Sequence, residues 1–333
     1  MTKIDVIIPS YMPDKFFLEL IDRLEKQTLP VQKIIIMNTE EKYYDKLVYE
    51  NRFLEKYHNI ETYHISKKEF DHGMTRRVGV SKSDADIFIM MTQDAMPKDE
   101  YLVEKLVDAL QDNKVVAAYA RQLPREDCSE AEKYIREFNY PAVSRVKSIA
   151  DIQQLGIKTY FCSNVCCAYK RNVYDRVDGF ERCAIFNEDM LYAAKVLKEG
   201  YQIAYVAEAE VIHSHNYTCK QQFKRNFDLG VSQAQHPEVF DEVPSEKEGM
   251  RSVKGTIQHL SKKKMKRKIP YVILQSGYKY LGYFFGKRYK KLPQKWVMKW
   301  TSNKEYWANA QRRNEVKSID ATKGYGRTES ERK

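Results

Sequence analysis

The chain has 333 residues, 43% of them hydrophobic, and a formal net charge of +11. That length holds one large domain with an appendage, or two domains, and no run reaches the ~18 apolar residues of a membrane span. Residues 1–250 carry 34 Lys and Arg against 41 Asp and Glu, whereas residues 251–300 carry 15 basic residues and no acidic one, which excludes a uniformly basic fold and implies an anionic partner for one segment.

In chain order, "KIDVIIPSY" is a short apolar run ending in Pro9, Ser10 and Tyr11 and reads as a buried strand. "DKFFLELIDRLEKQ" puts Phe17, Leu20, Ile21 and Leu24 on one helical face, with Asp14 as its cap. "VQKIIIMN" is a second buried strand, ending at Asn38, Thr39 and Glu40. "YYDKLVYENRFLEKY" reads as one helix, "IETYHI" as a third strand and "GMTRRVGVSKS" as a short helix. "ADIFIMMTQDAMP" is a fourth strand that ends in Thr92, Gln93 and Asp94. "DEYLVEKLVDALQ" is a helix and "KVVAAYA" a fifth strand. This alternation predicts an α/β fold: a Rossmann-like, mostly parallel sheet with helices on both faces. Ligands of such folds sit at the carboxyl ends of strands, so the three strand-end clusters are expected to converge.

The second half is less regular. "TYFCSNVCCAYKR" reads as a strand leading into a turn. Its cysteines lack the second paired cluster of a zinc site. With no signal peptide ahead of "IDVIIP", all six cysteines are expected to be reduced, mostly buried thiols of a cytoplasmic protein. "NEDMLYAAKVLKEG" is a helix stopped by Gly200. "QIAYV" and "AEVIHSH" are strand-like. "DEVPSEKEG" reads as a linker and sets the expected division: residues 1–236 as a catalytic domain, residues 237–333 as a basic, aromatic-rich helical extension.

Neither a G-x-G-x-x-G after the first strand nor a phosphate-binding lysine loop is present, which argues against nicotinamide and P-loop enzymes. Asp94 has two readings: N-cap of the next helix, or ligand of Mg²⁺ or Mn²⁺ at a cleft rim. Glu188 and Asp189 either complement the dipole of the helix they open, or Asp189 is a general base. His213 and His215, two apart on a strand, share one face and can meet a metal or a diphosphate. In "DHGMTRR", His72, Arg76 and Arg77 are candidates for contacts to a phosphate-bearing ligand against the alternative of a solvated basic turn, and Gly73 permits a close backbone approach.

The order of these features resembles the family 2 glycosyltransferases of the GT-A fold over residues 3–230. "VIIPSYMPD" is similar to their nucleotide-binding strand, "TQDAMP" to their Asp-x-Asp site, "NEDM" to their Glu-Asp motif, and the histidine 24 residues after Asp189, His213, to their metal-associated one. Within the family, "FDHGMTRR", "TQDAMP", "GIKTYFCSNVCCAYKR", "FNEDM" and "HSHNYT" most resemble bacterial rhamnosyltransferases that use dTDP-L-rhamnose. The resemblance implies inverting transfer of a sugar to a lipid-linked or polysaccharide acceptor in cell-surface glycan synthesis. It implies Asp189 as base, a divalent cation on Asp94 with His213 or His215, and donor contacts from Pro9, Ser10, Tyr11, Asn38, Thr39, Glu40 and Gln93. Two departures stand out. Thr92 replaces the first Asp, and "MNTEE" replaces the usual Asp-containing end of the second strand. Alternatives are another nucleotide sugar, or a non-catalytic surface-binding protein that keeps a degenerate transferase fold.

In the extension, Tyr271, Leu274, Tyr278, Leu281 and Phe285 recur at helical steps. Either this stripe packs on the catalytic domain, or the helix lies on the anionic inner face of the cell membrane with Trp296 and Trp300 near the headgroups. No nucleic-acid motif accompanies the charge. If every catalytic residue precedes Gly230, removal of residues 251–333 is expected to spare catalysis on a soluble acceptor.

Overall fold

The computed structural model describes residues 2–309. In chain order it runs β1 (Ile4–Tyr11), α1 (Lys15–Leu24), β2 (Lys33–Thr39), α2 (Glu41–Glu50), α3 (Phe53–Lys56), β3 (Ile60–Ile65), α4 (His72–Ser81), β4 (Ile87–Met91), β5 (Met96–Pro97), α5 (Leu102–Asp108) and β6 (Val115–Leu123). There follow α6 (Glu130–Asn139), β7 (Arg145–Lys147), α7 (Ile152–Leu155), β8 (Cys166–Lys170), α8 (Arg171–Arg176), α9 (Glu188–Lys198) and β9 (Gln202–Ile212). The chain then turns helical: α10 (Cys219–Gln235), α11 (Pro237–Phe240), α12 (Glu246–Lys262), α13 (Ile269–Lys287) and α14 (Gln294–Trp300).

The strands form one sheet in the order β3-β2-β1-β4-β8-β6-β9-β5, with β7 on β9. β1 to β4 are parallel, β8 runs against both β4 and β6, and β6 and β9 resume the first direction. Apolar residues of β1 and β2 alternate between the two faces. Val6, Ile8 and Ile36 lie in one core layer with residues of α1 and α5, while Ile7 and Ile35 lie in the other with residues of α4 and α9. α1 starts as its pattern predicts: the Asp14 carboxylate accepts the Phe16 N–H at 2.9 Å, and Phe17, Leu20, Ile21 and Leu24 are buried. Both effects hold the Pro9–Ser10–Tyr11 end of β1 in place beside the helix.

Several expectations change. The helix expected over "YYDKLVYENRFLEKY" is two helices, because Arg52 takes a left-handed backbone (φ 49°) between them. "QIAYV" and "AEVI" are one strand, β9; a register shift against β6 after Val206 absorbs the break in pattern. His213 and His215 therefore lie past the strand, not on it. The strand expected at "TYFC" is a turn that delivers the chain, reversed, to β8. Cys128, Cys162, Cys166 and Cys167 are buried free thiols, while Cys183 and Cys219 are partly exposed.

The expected division at 236/237 does not separate two packing units. α13 lies directly on α10: a Cβ on Gly282 would come 2.2 Å from the Phe223 carbonyl oxygen, and one on Gly286 2.2 Å from that of Phe227. Glycine is required there because only a bare backbone fits. Phe227 and Val231 of α10 are closed over by Val297 of α14 and by Tyr306.

Candidate active site

The three strand-end clusters converge as expected. Gln93, in the loop after β4, ties that loop to the end of β1. Its side-chain oxygen accepts from Ser10 Oγ and from the Tyr11 N–H, both at 2.9 Å, and its amide donates to the Tyr11 carbonyl at 2.9 Å. At the end of β2, Asn38 Nδ2 meets His64 Nδ1 at 3.0 Å, and Glu40, at a left-handed φ of 65°, accepts the Lys67 N–H at 2.7 Å. Asn38 Oδ1 and Thr39 Oγ1 are buried there without a protein partner. Buried acceptors and hydroxyls normally find one. Thr39, with Tyr11, Lys67 and His72, lines a cleft of about 760 Å³. Pro9 stays within β1, paired to Met37.

Asp94 caps no helix. α5 begins at Leu102, and Asp99 accepts the Tyr101 N–H that opens it. Instead Asp94 Oδ2 lies 3.5 Å from His213 Nε2 and 3.4 Å from His215 Nε2. His213 Nδ1 meets the Gln122 side-chain oxygen at 2.9 Å. Arg136, which only donates, also bonds that oxygen. The His213 proton is therefore on Nδ1, and in the neutral ring Nε2 turns a lone pair toward Asp94. Burial holds His215 down to about 4, so its ring is neutral at pH 7. One carboxylate oxygen and two imidazole nitrogens, all within 4.8 Å of one another, form a donor set that fits a divalent cation. With Thr92 at the position of the first Asp, Asp94 is the single carboxylate of this cluster and the two imidazoles complete its donor set.

The helix α9 opens with Asn187 in a left-handed conformation and no side-chain cap. Glu188 is buried against Arg76 Nε at 3.2 Å and accepts from Asn164 Nδ2 at 3.1 Å. Half-buried Asp189 accepts the Asn164 N–H at 3.1 Å and the Met190 N–H at 2.8 Å. Burial, and then the charge of Glu188, push its pKa up to about 7. A carboxylate poised there is suited to proton abstraction at neutral pH. The Asp94–His213–His215 cluster and Asp189 share one support: Gln122 also donates to Ser163 Oγ at 2.9 Å, next to Asn164. A pH prediction follows. A carboxylate that takes up a proton must be deprotonated, and that fraction of Asp189 grows as pH rises through about 7. Plotted on logarithmic axes, kcat/KM is expected to climb about tenfold per pH unit below that point and level off above it. Steady-state rates across the series check this; a flat profile from acid to neutral pH contradicts it.

The "DHGMTRR" residues divide. His72 lines the cleft, and burial lowers it to about 4, so it is a neutral ring. Arg76 faces Glu188, not the cleft, and Arg77 donates to the Asp178 and Phe180 carbonyls and pairs with Asp178 at 2.7 Å. These two arginines brace Glu188 and the loop before it. Gly73 does permit a close approach, but to the chain itself: a Cβ there would meet the Glu181 carbonyl oxygen at 1.8 Å.

Sequence reasoning missed the wall of the cleft opposite the strand ends. Gln221, Lys224, Arg225 and Asp228 of α10 line it, at steps of three and four that place them on one helical face. The Arg225 guanidinium lies 4.7 Å from the Phe186 ring centroid and 5.6 Å from that of Tyr217; Tyr217 in turn stacks on His215 at 4.7 Å. Buried Asp228 accepts from Thr301 Oγ1 at 2.6 Å and the Ser302 N–H at 2.8 Å, which draws residues 301–305 into the wall. The basic pair in "QQFKRNF" was the available signal. The contribution of residues 301–305 had none.

Residues 5–178 match glycosyl transferase family 2. The chain is 40% identical over 311 residues to the O-antigen chain rhamnosyltransferase RfbN of Salmonella typhimurium strain LT2, covering 93% of this chain and 97% of that protein. The chain belongs to glycosyl transferase family 2. This transferase is also 41% identical over 249 residues to the O-antigen chain rhamnosyltransferase WbaN of Salmonella anatum, covering 74% of this chain and 79% of that one. Among solved structures the transferase resembles the mannosyltransferase PcManGT from Pyrobaculum calidifontis in complex with GDP-Man and Mn²⁺. The TM-score is 0.55 at 14% identity, over 94% of this chain and 87% of that one. This likeness places the transferase in the GT-A fold.

Proposed function

We propose that this glycosyltransferase moves L-rhamnose from dTDP-L-rhamnose, with inversion, onto a lipid-linked or polysaccharide acceptor in cell-surface glycan synthesis, at the inner membrane face. The observation that carries the chemistry is Asp189, poised near neutrality and linked through Asn164, Ser163 and Gln122 to the cluster of Asp94, His213 and His215. The choice of sugar is supported by the two rhamnosyltransferase relatives, and the dTDP carrier by the motif resemblance. Among the described residues no helix is long and apolar enough to cross a membrane, so contact with a lipid-linked acceptor falls to the protein surface.

Asp189 takes the acceptor hydroxyl proton as that oxygen attacks the anomeric carbon. The bond from this carbon to the diphosphate oxygen breaks, and the nucleoside diphosphate leaves with the electron pair. Asp94, His213 and His215 would hold a divalent cation, which would supply charge against the negative charge developing on the diphosphate. Arg225, steadied between Phe186 and Tyr217, adds a fixed cation in the cleft wall, and Tyr217 links it to the cluster by stacking on His215. Thr39 Oγ1 and Asn38 Oδ1 are the contacts assigned to the nucleobase or ribose, a reading supported by their burial without a protein partner.

The test is transfer from a panel of donors. dTDP-L-rhamnose is expected to react, and UDP-glucose and UDP-galactofuranose to react poorly; equal use of all three overturns the donor assignment. Because two of the three ligands are imidazoles, Mn²⁺ is expected to serve better than Mg²⁺, which favours oxygen ligands. Calorimetry of dTDP binding measures this. Affinity is expected to rise with Mn²⁺ and the rise to vanish in Asp94→Ala. Equal affinity with and without the ion, and full activity in chelator, rule the metal role out.

A further inference from the structure

α13 turns two unlike halves to its surroundings. The half on α10 is small: Val272, Gly282 and Gly286 are buried, and the glycines touch the α10 backbone. Backbone contact this close leaves no room for large side chains, so the bulk of the helix faces solvent. Ile273, Leu274, Tyr278, Tyr280 and Leu281 are 40–59% exposed. The stripe read from the sequence is thus mostly an outer face. Only Phe285 turns in, against Trp300 at 4.9 Å, which also takes Trp300 away from the surface, while Trp296 stays 43% exposed.

Exposed cations stand at both ends of this face. Lys262, Lys263, Lys264, Lys266, Arg267 and Lys268 precede it, and Arg288, Lys290 and Lys291 follow it. No acidic residue occurs anywhere in residues 251–300. A soluble surface helix normally carries charge on its outward side. Here the outward side is apolar between two cationic ends, the pattern of a helix lying in the plane of a lipid–water interface.

We infer that α13 docks flat on an anionic lipid bilayer, its apolar face among the acyl chains and its two cation clusters on the phosphate headgroups. A second copy of the chain is the poorer occupant. Antiparallel helices paired through this face would set one cation cluster against the other, with no carboxylate in 251–300 to offset them. The docked helix also reaches the cleft, since Gln275 Nε2 donates to the carbonyl of Tyr217, a cleft-lining residue, at 2.9 Å. Docking would hold the cleft mouth near the bilayer, where a lipid-linked sugar is presented. That consequence rests on the proposed transferase reading; the docking itself does not.

The full chain is sedimented with vesicles of phosphatidylcholine alone and of equimolar phosphatidylglycerol and phosphatidylcholine, across a salt series. It is expected to bind the anionic vesicles alone, more weakly as salt rises, with an apolar remainder. The double variant Leu274→Asp/Leu281→Asp alters only exposed side chains and is expected to bind at least about tenfold more weakly, with unchanged thermal melting and unchanged transfer to a soluble acceptor. Equal binding to both vesicle types, binding to neither, or wild-type binding by the double variant overturns the inference. So does a dimer of the wild-type chain, by light scattering, that the double variant abolishes. Transfer assays read the enzymatic proposal separately, so either can fail alone.

Discussion

Asp189→Asn is expected to lower kcat by about three orders of magnitude, within the range general-base removal produces, while donor affinity stays near that of the wild type. The substitution keeps the shape and removes the basicity. Its cost to the fold is small by opposing effects. One of the two backbone amides now bound to the carboxylate, those of Asn164 and Met190, loses its acceptor. Against this, the neutral amide ends the repulsion with Glu188 that helps raise the Asp189 pKa to about 7. The sign of the pH effect follows. A carboxyl whose folded pKa is raised favours the native state while protonated, and that stabilisation is lost as pH rises from 3.8 through about 7. Asp189→Asn is therefore expected to melt at or above the wild-type temperature in mildly alkaline buffer. Wild-type turnover in a folded variant removes Asp189 from the chemistry.

Removal of residues 251–333 is expected to abolish both activity and cooperative unfolding, contrary to the reading of the sequence alone. The cut takes away α13 and α14 together with Thr301, Ser302 and Tyr306. Phe227 and Val231, fully buried now, would face water. Burial of each such side chain is worth roughly 1.5–3 kcal/mol, against a total stability of about 5–15 kcal/mol for a domain. The cleft would also lose the wall that Asp228 anchors. Circular dichroism melting of the truncated chain, beside transfer to a soluble acceptor, checks this. A folded, fully active fragment would return the extension to the role of an appendage.

The legible parts of this protein are those set by local pattern. Phe17, Leu20, Ile21 and Leu24 declare α1 by spacing, and apolar runs ending in polar residues mark β1, β2 and β4 together with the cleft at their ends. The motif order around Asp94, Asp189 and His213 carried the resemblance. What pattern does not encode is direction and partner. A run of apolar residues reads the same in either sense, so the reversal of β8 was hidden. A helical stripe says that one face is apolar, not which face meets the protein. α13 seats its glycines instead, because they alone admit the α10 backbone. Arg76 and Arg77 looked like anion ligands by composition, yet Glu188 and the 178–180 loop, about 100 residues away in sequence, take them both.

The most direct test of the central claim is the anomeric configuration of the product. The wild-type chain is incubated with dTDP-L-rhamnose, Mn²⁺ and an acceptor, and the new glycosidic linkage is read by NMR beside a parallel reaction of Asp189→Asn. One new rhamnosyl linkage is expected for each dTDP released, with configuration opposite to that of the donor, and almost none from the variant. Retention of the donor configuration, or equal product from Asp189→Asn, would contradict a single displacement driven by Asp189.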